Sequence, residues 1–245
     1  MIDLKDYWRG TPRKRVSARG VDILFDISTP WAEVRARTLL SKEPGTIRWL
    51  DRMTPDDVLY DVGANVGVYS LYASCVVGAM AYAFEPDGRT FKILCRNVEL
   101  NDLSGKLIPF CLGVSDSAGP DMLYVRAGTG GESGHNIGAI DDPSYLQGIM
   151  KIRLDTFVKS EGVFPPTMLK IDVDGLEPQI VEGLGDLRNS PGLRSVNIEL
   201  NRAFSAHRGA LRLLLESGFR IDEELGFVHS DGVTENVFLE RIVSP

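Results

Sequence analysis

A chain of 245 residues with 43% hydrophobic and 25% charged residues has enough apolar material for a sizeable core and lacks the polar skew of a disordered chain. Its net charge of −7 argues against a nucleic-acid groove as the main business of the surface, because such surfaces neutralise phosphates with clustered Lys and Arg. Cys75, Cys95 and Cys111 are odd in number and form no C-x-x-C, so neither a disulfide framework nor a zinc site is indicated, and a reducing, cytoplasmic compartment fits.

The first residues, MIDLKDYWRG, are too charged for the apolar stretch of a secretory leader. The longest apolar run, 71–84, is interrupted by Ser74 and Gly78 and falls short of a membrane span, so it reads as a helix end followed by a strand. Residues 1–28 read as an irregular leader with a short strand at 21–27, and Arg13, Lys14 and Arg15 as a solvated basic face. Thr29 is a candidate N-cap with Pro30 at the first helical position, which predicts a helix from Trp31 to about Leu40. A second short helix at 46–53 leads through a turn at 54–57 into the first core strand. These pieces are too small to form a domain of their own. Residues 1–57 are therefore expected to be a helical cover over the cleft of a core at 58–245, the whole chain making one domain. Glu43 and Thr46 then lie near the ligand, with a plain surface role as the alternative.

Residues 58–67, VLYDVGANVG, organise the rest. Val58, Leu59, Tyr60 and Val62 suit a central strand covered on both faces, and Gly63 and Gly67 let a ligand lie against the backbone before helical periodicity begins at Val66 and Tyr69. A dinucleotide fingerprint needs G-x-G-x-x-G, whereas the spacing here is G-x-x-x-G with Asp61 two residues ahead. A carboxylate there repels phosphate and welcomes an ammonium, such as the one at the amino-acid end of S-adenosylmethionine; the turn also reads as simple tight packing. A second apolar strand, 81–84, ends in Glu85, 22 residues beyond Gly63, where an acid can accept both hydroxyls of a ribose. The other use of Glu85 and Asp87 is to cap the next helix.

That helix, 88–100, carries Phe91, Leu94, Cys95 and Val98 as one apolar stripe. A third strand at 106–114 stops at Gly113, Ser115 and Asp116, and Ser115 or Asp116 is placed to hold an adenine base or to make an ordinary turn. Residues 126–150 have neither helical nor strand period; a loop this long is a lid, a binding loop or disordered, and Glu132, Ser133, His135 and Asn136 are its substrate-side candidates. A fourth strand, 168–172, ends in Asp172 and Asp174. A helix opened by Pro178 follows, then a fifth strand, 195–200, carrying Glu199, and a helix at 207–217 stopped by Gly218. Segments 219–221 and 236–241 are expected to pair as an antiparallel edge. Strands alternating with helices predict an α/β fold with a mainly parallel sheet.

With DVGANVGVYS at 61–70, AFEPD at 83–87, NVELND at 97–102, LGVSDSAG at 112–119, RLDTF at 153–157 and LKIDVDGLE at 169–177, the chain resembles the FkbM family of S-adenosylmethionine-dependent methyltransferases. The last motif usually reads IDVEG in that family; here Asp174 stands in place of Glu, one methylene shorter. The resemblance implies the class I methyltransferase fold, a Rossmann-like, mainly parallel seven-stranded sheet flanked by helices. It also implies cofactor contacts at Asp61, Gly63, Asn65, Gly67 and Glu85, and methyl transfer to a hydroxyl of a glycan or a secondary metabolite.

An alcohol acceptor must lose its proton to a carboxylate or imidazole within hydrogen-bond reach. Asp172 is the first candidate, with binding the cofactor's amino group as its other role; His135 and Glu199 follow. A nicotinamide oxidoreductase is disfavoured by the missing third glycine and by Asp61, and a non-catalytic cofactor-binding partner module by the intact acids. No nucleic acid and no membrane span are expected. Asp172, Asp174 and Glu199 also offer oxygen ligands for Mg²⁺, but no metal-specific spacing is present. Methyl transfer is therefore expected to continue undiminished in excess EDTA, as measured by radiolabelled methyl incorporation.

Overall fold

The computed structural model describes residues 10–125, 129–131, 136–137, 143–160, 162–229 and 232–242. In chain order it places strands β1 (Arg13–Ala18) and β2 (Val21–Asp26), helices α1 (Pro30–Thr38) and α2 (Pro44–Leu50), and strand β3 (Val58–Val62). Helix α3 (Val68–Tyr72) runs into a π-helical turn (Ala73–Val77), followed by β4 (Met80–Phe84), α4 (Gly88–Leu100), β5 (Leu107–Phe110), β6 (Gly113–Val114), β7 (Gly119–Val125), β8 (Asn136–Ile137) and β9 (Tyr145–Ile152). Then come α5 (Leu154–Phe157), β10 (Met168–Ile171), α6 (Glu177–Gly183), β11 (Ser195–Asn201), α7 (Ser205–Glu216), β12 (Phe219–Ile221), β13 (Phe227–Val228) and β14 (Thr234–Arg241).

The main sheet has the order β12-β14-β11-β10-β3-β4-β5, with β13 pairing β14. The neighbours from β11 to β5 are parallel, and β14 and β12 form the expected antiparallel edge. The chain enters this sheet at β3 in the middle, builds outward to β4 and β5, then returns to β10 on the other side. The crevice where the order reverses lies beyond the carboxyl ends of β3 and β10, which is where open α/β sheets bind ligands. Register makes that edge even: Ile198, Ile171, Val62, Phe84 and Phe110 sit side by side across five strands. The next residues, Asp172, Gly63, Glu85 and Cys111, therefore leave the sheet at one level, and Glu199 stands at that level in β11, which runs on to Asn201 beside β14.

Alternation along the strands divides the core between two faces. Leu59, Ala81, Ala83 and Met168 pack with Leu71, Leu94 and Trp49 on one face. Tyr60, Val62, Phe84, Ile171 and Val196 pack with Ile180, Leu184 and Leu214 on the other. Both faces are covered, as a parallel sheet requires.

Three expectations are corrected. The short strand expected at 21–27 is β2, but residues 13–18, expected to be irregular, pair with it as β1, so the segment before β3 is only partly helical. The strand expected at 106–114 breaks at Cys111 and Leu112, so that Gly113 and Val114 leave the main sheet and pair with β9. The segment 126–150, expected to lack strand period, supplies β8 and the first six of the eight residues of β9 in a second, four-stranded sheet of order β6-β9-β7-β8. Half of the β9 residues face solvent and Gly148 interrupts the pattern, which blurs the apolar alternation that marks a strand.

The hairpin is seated by two asparagines one turn apart on α4. Asn101 exchanges hydrogen bonds with both the amide and the carbonyl of Leu24, at 2.8 and 2.7 Å. Buried Asn97 accepts from the Asp26 amide at 2.7 Å and donates to the Val66 carbonyl at 2.8 Å. On the opposite flank, Trp49 Nε1 donates to Ser195 Oγ at 2.7 Å and Asn197 donates to Thr46 Oγ1 at 3.1 Å, tying α2 to β11. No helix among the described residues is long and apolar enough to cross a membrane. Asn97→Ala leaves two buried backbone groups without partners at roughly 1–3 kcal/mol each; a loss of about 2–4 kcal/mol in urea unfolding is expected, with faster amide exchange in the hairpin.

Candidate active site

Past β3 the chain turns sharply. Gly63 has φ of +77°, and a Cβ on it would stand 2.0 Å from the Asp172 carbonyl oxygen, so the turns after β3 and β10 approach backbone to backbone. Asn65 is also left-handed, at φ of +53°. Its amide donates to Glu85 Oε2 at 2.9 Å, while the Asp87 amide donates to Glu85 Oε1 at 2.8 Å. Glu85 thus braces the glycine turn from the adjacent strand, and each of its oxygens keeps a second lone pair. Burial pushes its carboxyl up to about 8. Asp87 caps α4, accepting from the Arg89 amide and from Thr90 Oγ1. Thr90 Oγ1 in turn accepts from the Gly131 amide at 2.9 Å, which ties residues 129–131 over the turn.

A cavity of about 270 Å³ lies on this edge, just under the roughly 300–1,000 Å³ of drug-sized sites. One side is apolar, from Phe84, Leu112, Val114, Leu123 and Leu176, with Gly113 giving clearance. Gly63, Asn65 and Glu85 line it, as do Asp172, Asp174, Glu199, His229, Arg35 and Lys42. A smaller cavity of about 30 Å³ continues past the turn and shares Arg35, Lys42, Gly63, Asn65 and Asp172 with the larger one.

Of the residues singled out from sequence, Gly63, Asn65, Glu85, Asp172 and Glu199 come together in this cavity. Asp61 does not line it. One residue short of the strand end and 1% exposed, it accepts from Ser70 Oγ at 2.6 Å, and burial raises its carboxyl against the pull of Lys170. The acid facing the cleft is Asp172 instead. Gly67 packs inward, where a Cβ would meet Leu94 Cδ1 at 2.4 Å. Ser115 and Asp116 lie beyond the lining: the Ser115 carbonyl abuts Gly183, the Asp116 carbonyl accepts from Arg153 at 2.6 Å, and the wall is made by residues 112–114. Glu132, Ser133 and His135 lie outside the described residues. Glu43, fully buried, binds Lys42 Nζ at 2.9 Å and Thr46 Oγ1 at 3.0 Å just behind the wall.

The two acids next to the crevice differ in state. Asp172 Oδ2 is 2.6 Å from the buried Lys170 ammonium; burial alone would raise its carboxyl, but Lys170, Lys42 and Arg35 hold it well below the usual range. Glu199 is pushed up to about 8, by burial first and by neighbouring Asp172 second. Its Oε2 is 3.2 Å from His229 Nε2, and that nitrogen is 2.8 Å from Asn236 Oδ1, the residue opposite Glu199 in the ladder. Arg35, Lys42 and His229 escaped sequence reasoning. For His229 a signal existed, since it borders the antiparallel edge expected beside the strand bearing Glu199. Among the described residues no group of three or more His, Cys, Asp or Glu is placed to hold a metal ion.

The methyltransferase FkbM domain matches residues 61–221, well over half of the chain. The chain belongs to the FkbM methyltransferase family. The hexuronic acid methyltransferase AglP of Haloferax volcanii is 30% identical over 166 residues, covering 66% of this chain and 62% of that protein, so under two thirds of this relative is spanned. The 31-O-demethyl-FK506 methyltransferase FkbM of Streptomyces tacrolimicus is 26% identical over 200 residues, 70% of this chain and 76% of that protein. Aeropyrum pernix fibrillarin, solved with natively bound S-adenosyl-L-methionine, matches 94% of this chain and 83% of its own with a TM-score of 0.52 at 12% identity, a likeness of fold. S-adenosylmethionine is the cofactor that the sequence resemblance to this family implies. The residues present suit it: an apolar wall for a base, the Glu85 carboxyl for a diol, and charges of both signs at the glycine turn for an amino acid.

Because Glu85 ionises near its ordinary 4.5 when unfolded and near 8 when folded, the native state holds the extra proton between those values. Stability from this group is complete below about pH 4.5 and lost as pH rises through 8. Urea unfolding across pH 5–8 is expected to show declining stability, with a shallower slope in Glu85→Gln.

Proposed function

We propose that this chain is an S-adenosylmethionine-dependent O-methyltransferase acting on a hydroxyl of a sugar, glycan or secondary metabolite, with residues 1–245 working as one domain. The observation that carries the reading is the Glu199 carboxyl: it lines the cavity one strand away from Asp172, ionises near neutral pH, and is held by His229. The names of the two relatives, a hexuronic acid methyltransferase and a 31-O-demethyl-FK506 methyltransferase, support acceptors of this kind.

The bound cofactor supplies a methyl group on a sulfonium, displaced in line by the acceptor oxygen. The chain's own task is to align that oxygen and remove its proton. Asp172 is a weak base, since Lys170 holds it ionised; its negative charge suits the cofactor's ammonium instead. Glu199 has the higher proton affinity, and a base poised near the working pH is the more effective one. His229 Nε2 stands between the acceptors Glu199 Oε2 and Asn236 Oδ1, and as a donor to them it orients the carboxylate. Val62, Phe84 and Val173 keep the cofactor side of the crevice apolar. His135 remains a second candidate base. No nucleic acid and no metal enter this mechanism.

Glu199→Gln is expected to lower kcat by about 10²–10⁴, the usual contribution of a positioned base, with affinity for S-adenosylhomocysteine within a few-fold of the parent. The parent's kcat/KM, followed by radiolabelled methyl transfer to a panel of oligosaccharides, is expected to rise with pH toward about 8 as Glu199 ionises.

A further inference from the structure

Four acids line the cleft, and Asp172, held ionised, would repel the carboxylate of a ligand unless cations stand beside it. Glu85, Asp172, Asp174 and Glu199 all line it, and S-adenosylmethionine ends in an α-amino acid with one charge of each sign. Asp172 answers the positive half. For the negative half the lining offers two permanent cations, Arg35 and Lys42.

Both belong to the segment preceding the core, and both are held in place. Arg35 sits in the last turn of α1, where the helix dipole favours a cation. Among the described residues its guanidinium makes a single hydrogen bond, from Nε to the Gly131 carbonyl at 3.3 Å. That contact fixes the plane of the fork and leaves its two terminal nitrogens for a bidentate partner. Lys42 follows the helix and is anchored through Nζ to buried Glu43 at 2.9 Å.

Their position selects the cofactor over the acceptor. Arg35 and Lys42 border both the main cavity and the small one beyond the glycine turn, in company with Gly63, Asn65 and Asp172. Glu199 and His229, the groups suited to the acceptor, border only the main cavity. An anion and two cations thus converge on the turn.

We infer that Arg35 and Lys42 clamp the carboxylate of the cofactor's amino acid, so that the segment before the core completes the cofactor site. This rests on the cofactor reading above, and two ligands separate the failures: S-adenosylhomocysteine, which has the amino acid, and 5′-methylthioadenosine, which lacks it. Calorimetry on Arg35→Met, Lys42→Met and Arg35→Lys is expected to show S-adenosylhomocysteine weakened about ten-fold or more in the two methionine variants, with partial recovery in Arg35→Lys. Binding of 5′-methylthioadenosine is expected to stay within two-fold, which also reports an intact fold. Unchanged affinity for S-adenosylhomocysteine, or an equal loss for both ligands, overturns the inference while leaving the cofactor reading standing. A parent protein that binds neither ligand overturns both.

Discussion

Lys170 is an ammonium sealed between two central strands, 1% exposed and opposite Asp61 in the parallel register of β10 and β3. Burying a charge this deeply costs several kcal/mol unless partners compensate. Burial pulls the ammonium toward neutrality, and Asp172, Glu43 and Asp61 more than reverse that pull. Without this ion Asp172 loses its 2.6 Å partner, and Glu43 and Asp61 lose a neighbouring buried cation. Its presence sorts the acids of the crevice into kinds: Asp172, 2.6 Å from Lys170, stays ionised, whereas Glu199, one strand further along, retains its proton to a much higher pH. Two carboxyls a strand apart thereby become chemically unlike, the division of labour that the proposed methyl transfer to a hydroxyl calls for.

The site is also divided in how it is made. The cofactor side depends on backbone: the left-handed Gly63 and Asn65, the amides held by Glu85, and the turn after β10 braced by the Val173 amide on Glu177 at 3.3 Å. The side proposed for the acceptor depends on side chains borne by β11 and the loop before β14. Helix α1, the loop after it and helix α2 join the two, since α1 and the loop present Arg35 and Lys42 at the cavity and α2 reaches β11 through Trp49 and Thr46.

Much of the main sheet was legible because its strands are short apolar runs ending at acids or glycines, and helices between them have clean apolar stripes such as Phe91, Leu94 and Val98. Glu85 and Asp172 were legible as strand-end acids for the same reason. Asp61 looked equivalent, and only register separates it from them: it pairs with Lys170 one step before the strand end and points into the core. The second sheet was hidden because β7 and β9 are partly exposed and stabilise each other across 19 intervening residues, a pairing that local pattern does not encode. Arg35, Lys42 and His229 were hidden for a related reason, since their importance arises from tertiary placement rather than from neighbours in sequence.

The contact at Gly63 has a wider consequence. The atom that forbids a Cβ there is a main-chain carbonyl, so no replacement at position 172 relieves the clash, and neither loop can drift without the other. Glu199 and His229 are held through their side chains instead, so the wall they form can be reshaped by side-chain replacement while the two turns keep their spacing.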